Sequence, residues 1–146
     1  MSPEQKTPCI TSLILEAFHE AGPAVFAGPA SLLERYESGR LEIEGEDWWL
    51  RNLQYIKYIL KPSNEELIEC AELCQRKNQA YGSRGMYAFG ANGIRIRSAD
   101  KLYRFLNLTE HGGEEHDESL RDSLLDLLNY AALAVLVLRK QLPCAD

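Results

Sequence analysis

No stretch of this chain is apolar for long enough to cross a bilayer. The longest runs from Leu124 to Leu138 and is interrupted by Asp126 and Asn129; its roughly 15 residues fall short of the ~20 a spanning helix needs. Met1 to Cys9 has no basic segment followed by an apolar core, so no secretory signal is expected. Positive charge is scarce as well: 16 Lys and Arg stand against 22 Asp and Glu, giving a formal charge of -6. Duplex nucleic acid and anionic membranes recruit dense Lys/Arg surfaces, so neither is expected as the main partner. A small anionic ligand stays open, because a few clustered cations suffice locally. An acidic protein would most naturally meet a triphosphate through divalent cations. Cysteine is sparse and not arranged for chemistry: Cys70 and Cys74 are four apart, matching neither a redox C-x-x-C nor a zinc knuckle. They read as two half-buried thiols in a reducing cytoplasm. Repeats and low-complexity tracts are absent.

What remains is a composition with 45% hydrophobic and 26% charged residues, that of an ordinary globular protein. The apolar periodicity is helical almost throughout. Thr11 to Ala21 carries a stripe of Leu13, Ile14, Ala17 and Phe18 and stops at Gly22-Pro23. A second short helix opens at Gly28-Pro29 and runs to about Glu37, with Gly39 as its C-cap. Leu41 to Glu46 alternates apolar and acidic residues and reads as a short strand or an extended connector. Asp47 to Leu60 is a third helix; its Trp48 and Trp49 suit the core and, less well, an interface. Pro62 breaks the chain, and Ser63 with Glu66 forms a capping box for a helix to about Ala80. Tyr81 to Gly93 holds four glycines and several aromatics and reads as an ordered loop. Ile94 to Leu108 is a fifth helix, Thr109 to Asp117 a polar loop, and Asp117 to Gln141 the last and longest helix. The expectation is an all-α helical bundle in one compact unit, with residues 1–62 as a helical extension packed on a core of residues 63–146.

The last helix carries the strongest chemical signal. On a wheel of about 100° per residue, with Glu118 at zero, Asp122 falls near 40°, Asp126 near 80° and Asn129 near 20°. Nearly everything else from Leu124 to Leu138 is Leu, Ala, Val or Tyr on every face, the pattern of a buried helix. Carboxylates inside such a helix cost several kcal/mol each unless a cation or a metal compensates them. Solvation near the helix start suits Asp117 and Glu118. It suits Asp122 less, and Asp126 and Asn129 poorly. Glu118 and Asp126 are about 12 Å apart along the axis, too far for one ion. Glu118 and Asp122 can share a metal, while Asp126 and Asn129 are placed toward a second ion or toward a sugar and base.

On the preceding helix, Arg97, Lys101 and Arg104 follow i, i+4, i+7 spacing and share a face, with Asp100 at its edge. Three cations beside an acid stripe suit a triphosphate–metal complex, in which ions neutralise bridging oxygens and Arg or Lys holds the outer phosphates. The short connection predicts antiparallel packing of these two helices.

These segments resemble a known family. They are Lys77-Asn78-Gln79-Ala80-Tyr81-Gly82, Arg97 through Arg104, and Glu118 through Ala131. Together they resemble the nucleotide-modification-associated proteins of bacteriophages, a branch of the MazG-like, all-α nucleoside triphosphate pyrophosphohydrolases. The likeness spans roughly residues 64–141, and Glu118 through Ala131 is its most specific part. In that family an E-x-x-E pair on one helix and E-E-x-x-D on the next hold Mg²⁺. Glu118 and Asp122 match the outer members of the second motif, with Ser119 where a glutamate is expected. The first pair reads Arg97-x-x-Asp100, so the resemblance leaves Asp100 as its surviving ligand. Glu66, Glu69 and Glu72 also have E-x-x-E spacing, on the helix before, and read first as solvated charges.

The resemblance implies a Mg²⁺- or Mn²⁺-dependent hydrolase that converts a (d)NTP to (d)NMP and pyrophosphate. It gives Glu118, Asp122 and Asp100 the catalytic work, with Asp126 beside them on the metal. Lys77, Asn78, Tyr81, Arg97, Lys101, Arg104 and Asn129 would bind substrate. It implies a homodimer or homotetramer in the cytoplasm, that of the host if phage-encoded, and makes deoxypurine triphosphates (dGTP, dATP) the natural guess. Two other readings stand beside it. One is a non-catalytic nucleotide-binding or assembly module, favoured by the altered E-x-x-E motif. The other is a metal hydrolase built on His111 and His116 near Asp117 and Glu118.

Overall fold

The computed structural model describes residues 9–22, 28–39, 42–111 and 117–142; of Pro29, Asp117, Glu118 and Ser119 it describes the backbone only. Among the described residues six helices follow one another: α1 (Ile10–Glu20), α2 (Pro29–Ser38), α3 (Glu46–Leu60), α4 (Asn64–Tyr81), α5 (Arg84–His111) and α6 (Asp117–Leu138). No strand occurs among the described residues, and residues 42–44 form a turn where alternation suggested an extended segment. The chain is all-α. No helix is long and apolar enough to cross a membrane among the described residues.

Helix α6 is the post around which α1, α3, α4 and α5 gather, while α2 packs on α5 and α3. From Leu127 to Leu136 every side chain except Tyr130 is buried, on all faces of the helix. Contacts along α6 fix the direction of each neighbour. Lys101 meets Asp126 and Tyr87 meets Leu142, so α5 runs antiparallel to α6. Glu66 meets Arg121 and the Cys70 carbonyl meets Asn129, so α4 runs parallel to it. The Leu60 carbonyl accepts from Arg121 while Glu46 at the other end of α3 meets Arg139, which makes α3 antiparallel. Arg139 also reaches Glu20 at the end of α1. One apolar core runs through all of it, joining Ile14, Trp49 and Leu53 of the first sixty residues to Leu102, Leu127 and Leu128.

Local chemistry explains most helix ends. The Ser63 hydroxyl accepts from the Glu66 amide at 3.1 Å, and the Glu66 carboxylate accepts from the Ser63 amide at 3.1 Å, the reciprocal capping box the sequence predicts. Trp48 and Trp49 are core residues, packed edge-to-face on each other at 4.8 Å with Tyr36 alongside.

The largest departure from expectation is Tyr81 to Gly93, which is not a loop. Only Gly82 and Ser83 interrupt the helices there, and α5 begins at Arg84. Helix forms across these glycines because Met86 and Tyr87 pack against the core, Ala91 and Ile94 are buried in it, and the Tyr87 hydroxyl donates to the Leu142 carbonyl at 2.6 Å. The glycines still leave a mark. Gly90, at φ 61° and ψ -161°, puts a kink inside α5, and Gly82, at φ 77° and ψ 172°, closes α4. Both conformations are essentially restricted to glycine. The fifth helix therefore spans Arg84 to His111 in two pieces, and the sixth ends at Leu138, short of Gln141.

Candidate functional site

The C-terminal half of α4, the first part of α5 and the middle of α6 enclose a pocket of about 520 Å³. That lies within the roughly 300–1,000 Å³ typical of small-molecule sites. Each wall follows from helical spacing. From α4 come Cys74, Lys77, Asn78 and Tyr81, at i, i+3, i+4 and i+7. From α6 come Asp126, Asn129, Tyr130 and Leu133, again at i, i+3, i+4 and i+7. Helix α5 contributes Arg97 and Lys101, one turn apart, and the segment before its kink adds Gly85 and Met86.

The charge inside is opposite to that of the chain. Three cations, Lys77, Arg97 and Lys101, line the wall against one carboxylate, Asp126. Lys101 Nζ sits 2.9 Å from one oxygen of Asp126, and Lys77 Nζ is 3.8 Å from the other. The Asp126 side chain is 26% exposed, so the pair is neither sealed in the core nor fully solvated. Asp126 holds the two ammonium groups toward each other and leaves each with donors free for a ligand.

Other walls are quieter. The Asn78 side chain is tied to Ser83, its Nδ2 donating to the hydroxyl at 3.1 Å, and the Asn78 backbone carbonyl accepts from the Gly82 amide at 2.6 Å. Asn78 therefore shapes the turn beside the pocket. Tyr81 stands at the rim, 87% exposed. Cys74, with Cys70 one turn earlier, lies against the floor; burial pushes both thiols up to about 12, with the neighbouring Asp126 charge adding to it. Neither is a nucleophile at neutral pH.

A scan against protein-family models, a search of curated proteins and a search of solved structures each returned no match.

Of the expected site residues, Lys77, Asn78, Tyr81, Arg97, Lys101, Asp126 and Asn129 converge on this one pocket. Arg104 is exposed on α5 and does not line it. Asp100 and Asp122 are also exposed and outside the lining. The backbone of Glu118 lies in the first turn of α6, but its side chain is outside the described residues. Among the described residues no three His, Cys, Asp or Glu side chains form a group that could hold a metal ion. Among the described residues the pocket holds one carboxylate, Asp126, and it already answers two lysines. The glutamates of α4 also have other work or none: Glu66 caps its own helix and pairs with Arg121, while Glu69 and Glu72 face solvent. His111 is exposed beside Glu110 at 3.7 Å, and His116 lies outside the described residues.

Sequence reasoning missed Cys74, Tyr130, Leu133, Gly85 and Met86. The first three were within reach, since each shares a helical face with a residue already singled out. Gly85 and Met86 were hidden by reading their segment as a loop.

Proposed function

We propose that the protein binds a nucleoside triphosphate in the α4–α5–α6 pocket and hydrolyses it to monophosphate and pyrophosphate. One observation carries the reading: in a chain of charge -6, Lys77, Arg97 and Lys101 meet in a single pocket that also has aromatic and amide walls. Clustered Arg and Lys suit the outer phosphates, and the apolar and amide surface suits a base. The reaction class comes from the family resemblance. Water oxygen bonds to the α-phosphorus, the bond from that phosphorus to the α,β-bridging oxygen breaks, and pyrophosphate leaves with the electron pair. The role given to the chain's own groups is to orient the triphosphate and to stabilise the negative charge gathering on pyrophosphate. The resemblance also implies Mg²⁺ or Mn²⁺, deoxypurine triphosphates as first substrates, a homodimer or homotetramer, and a cytoplasmic place of work. Since the one described carboxylate of the pocket is paired with two lysines, the reading takes the divalent cation as part of the nucleotide complex.

The second reading is a nucleotide-binding module without turnover. It is favoured by Asp100 and Asp122 facing solvent while Asp126 is held by lysines. Chromatography of products from the eight common NTPs and dNTPs, with Mg²⁺ or Mn²⁺ and with chelator, separates the two. Monophosphate plus pyrophosphate from one or a few nucleotides, lost on chelation, is the expected result. Bound but uncleaved nucleotide would establish the binding module instead.

A further inference from the structure

Four buried side-chain polar atoms lack a hydrogen-bond partner among the described residues: Tyr36 Oη, Trp48 Nε1, Asn52 Nδ2 and Asn129 Oδ1. Three belong to the α2–α3 region, away from the pocket. Asn129 alone among the four lines it.

Its amide has one orientation. Asn129 Nδ2 donates to the Cys70 carbonyl at 3.1 Å, and turning the amide over would set two acceptor oxygens against each other. The side-chain carbonyl is therefore the end left without a partner. Asn129 is only 8% exposed, so water does not readily compensate for that. Buried carbonyls are almost always paired, and an exception in a pocket wall calls for an explanation. A ligand is one, because the residue sits one turn along α6 from Asp126 and its two lysines. Beside it, Cys74 and Leu133 are buried apolar surface, and Met86 is an unbranched side chain able to turn aside for an incoming group.

We infer that Asn129 is a specificity-determining residue whose side-chain carbonyl accepts a hydrogen bond from an N–H on the edge of the bound base. This rests on the nucleotide reading and adds to it the class of base edge the pocket takes. One of the two Nδ2 hydrogens is given to Cys70, and the carbonyl, which has no partner at all, is the group that calls for a donor. The base edge that meets it must therefore carry an amino or ring N–H donor. A base with a lone pair or a bare C–H there leaves the carbonyl unpaired, and such sites reject the analogue lacking the donor.

The test is calorimetric binding of α,β-imido triphosphates, whose bridge resists cleavage, in Mg²⁺. Two matched pairs are compared: deoxyadenosine against deoxypurine riboside, and deoxycytidine against its 4-desamino analogue. The expected result is binding about 10- to 100-fold weaker for the donor-free member of at least one pair. In Asn129→Ala that gap closes through loss of affinity for the donor-bearing member alone. A merely structural role would weaken both members together. Equal affinities within both pairs for the natural protein overturn the inference and leave the nucleotide reading standing. If none of the four binds, the deoxyguanosine and thymidine analogues, which carry ring N–H donors, decide: binding that Asn129→Ala weakens about 10- to 100-fold supports the inference, binding that it leaves unchanged overturns it, and no binding of any analogue overturns the nucleotide reading as well.

Discussion

At the scale of single residues, the three described cysteines sit in opposite environments. Cys9 is exposed at the start of α1, where the Thr11 amide and hydroxyl beside it hold its thiol below the usual range. Burial pushes Cys70 and Cys74 up to about 12, against an ordinary thiol value of 9.0. Iodoacetamide at pH 8 is therefore expected to modify Cys9 quickly and to reach Cys70 and Cys74 only after unfolding, as peptide mass mapping will read. The same shift has a sign for stability. The thiols stay protonated in the folded protein, so their contribution is complete below pH 9.0 and is lost as pH rises toward 12. A melting temperature that falls over that window, and falls less in Cys70→Ala/Cys74→Ala, is the expected outcome. Equal labelling of all three thiols at pH 8 would contradict the packing of α4 on α6.

Much of the pocket was legible residue by residue. Asp126 and Asn129 stand among leucines, which no solvated helix face tolerates, and Arg97 and Lys101 are one turn apart on a neighbouring helix. Periodicity tells which residues share a face. It does not tell which face a neighbour covers: Asp122 shares Asp126's stripe, yet it is exposed while Asp126 meets two lysines. The carbonyl left over at Asn129 was out of reach, because it depends on a backbone atom of Cys70 fifty-nine residues away.

At the scale of elements, the signals with a local mechanism were the readable ones. The Ser63–Glu66 box is complete within four residues, so it needs no tertiary information. The Gly82 to Gly93 segment does: glycine content argues for a loop, and tertiary packing, from Met86 and Tyr87 to the buried Ala91 and Ile94, overrides it. The override is partial, which gives opposite effects to alanine at two nearby glycines. At Gly90 a Cβ has open space around it, so only the backbone at φ +61° opposes it, and Gly90→Ala should cost about 1–3 kcal/mol. Gly85 also has open space and lies inside the helical run without positive φ, so Gly85→Ala should stabilise by about 0.5–1 kcal/mol. Chemical denaturation of both variants checks the pair. Two changes of the same sign would remove the kink from the account.

At the scale of the whole molecule, an all-α architecture followed from the apolar periods, and the burial of α6 from a second half that is apolar on every face. The arrangement around it, with α4 parallel and α3 and α5 antiparallel, was only partly legible, because it is written in long-range contacts such as Glu66 with Arg121 and Glu46 with Arg139. If α6 is the post, truncating it costs far more than truncating an outer helix. Leu127→Ala, at a fully buried position, should cost about 2–5 kcal/mol in urea unfolding. Leu73→Ala, at a position 38% exposed on α4, should cost clearly less. Equal losses would mean the core is centred elsewhere.

Helix α6 is also the last of the six to leave the ribosome. At roughly 5–20 residues per second, α1 waits several seconds for α4, on which it packs most, and on the order of ten seconds for α6. Through that interval Phe18, Trp49, Leu53 and Ile56 belong to helices with no central surface to close on. The nascent chain is then a set of sticky amphipathic pieces rather than a growing domain, and its safe passage depends on how fast translation delivers one helix.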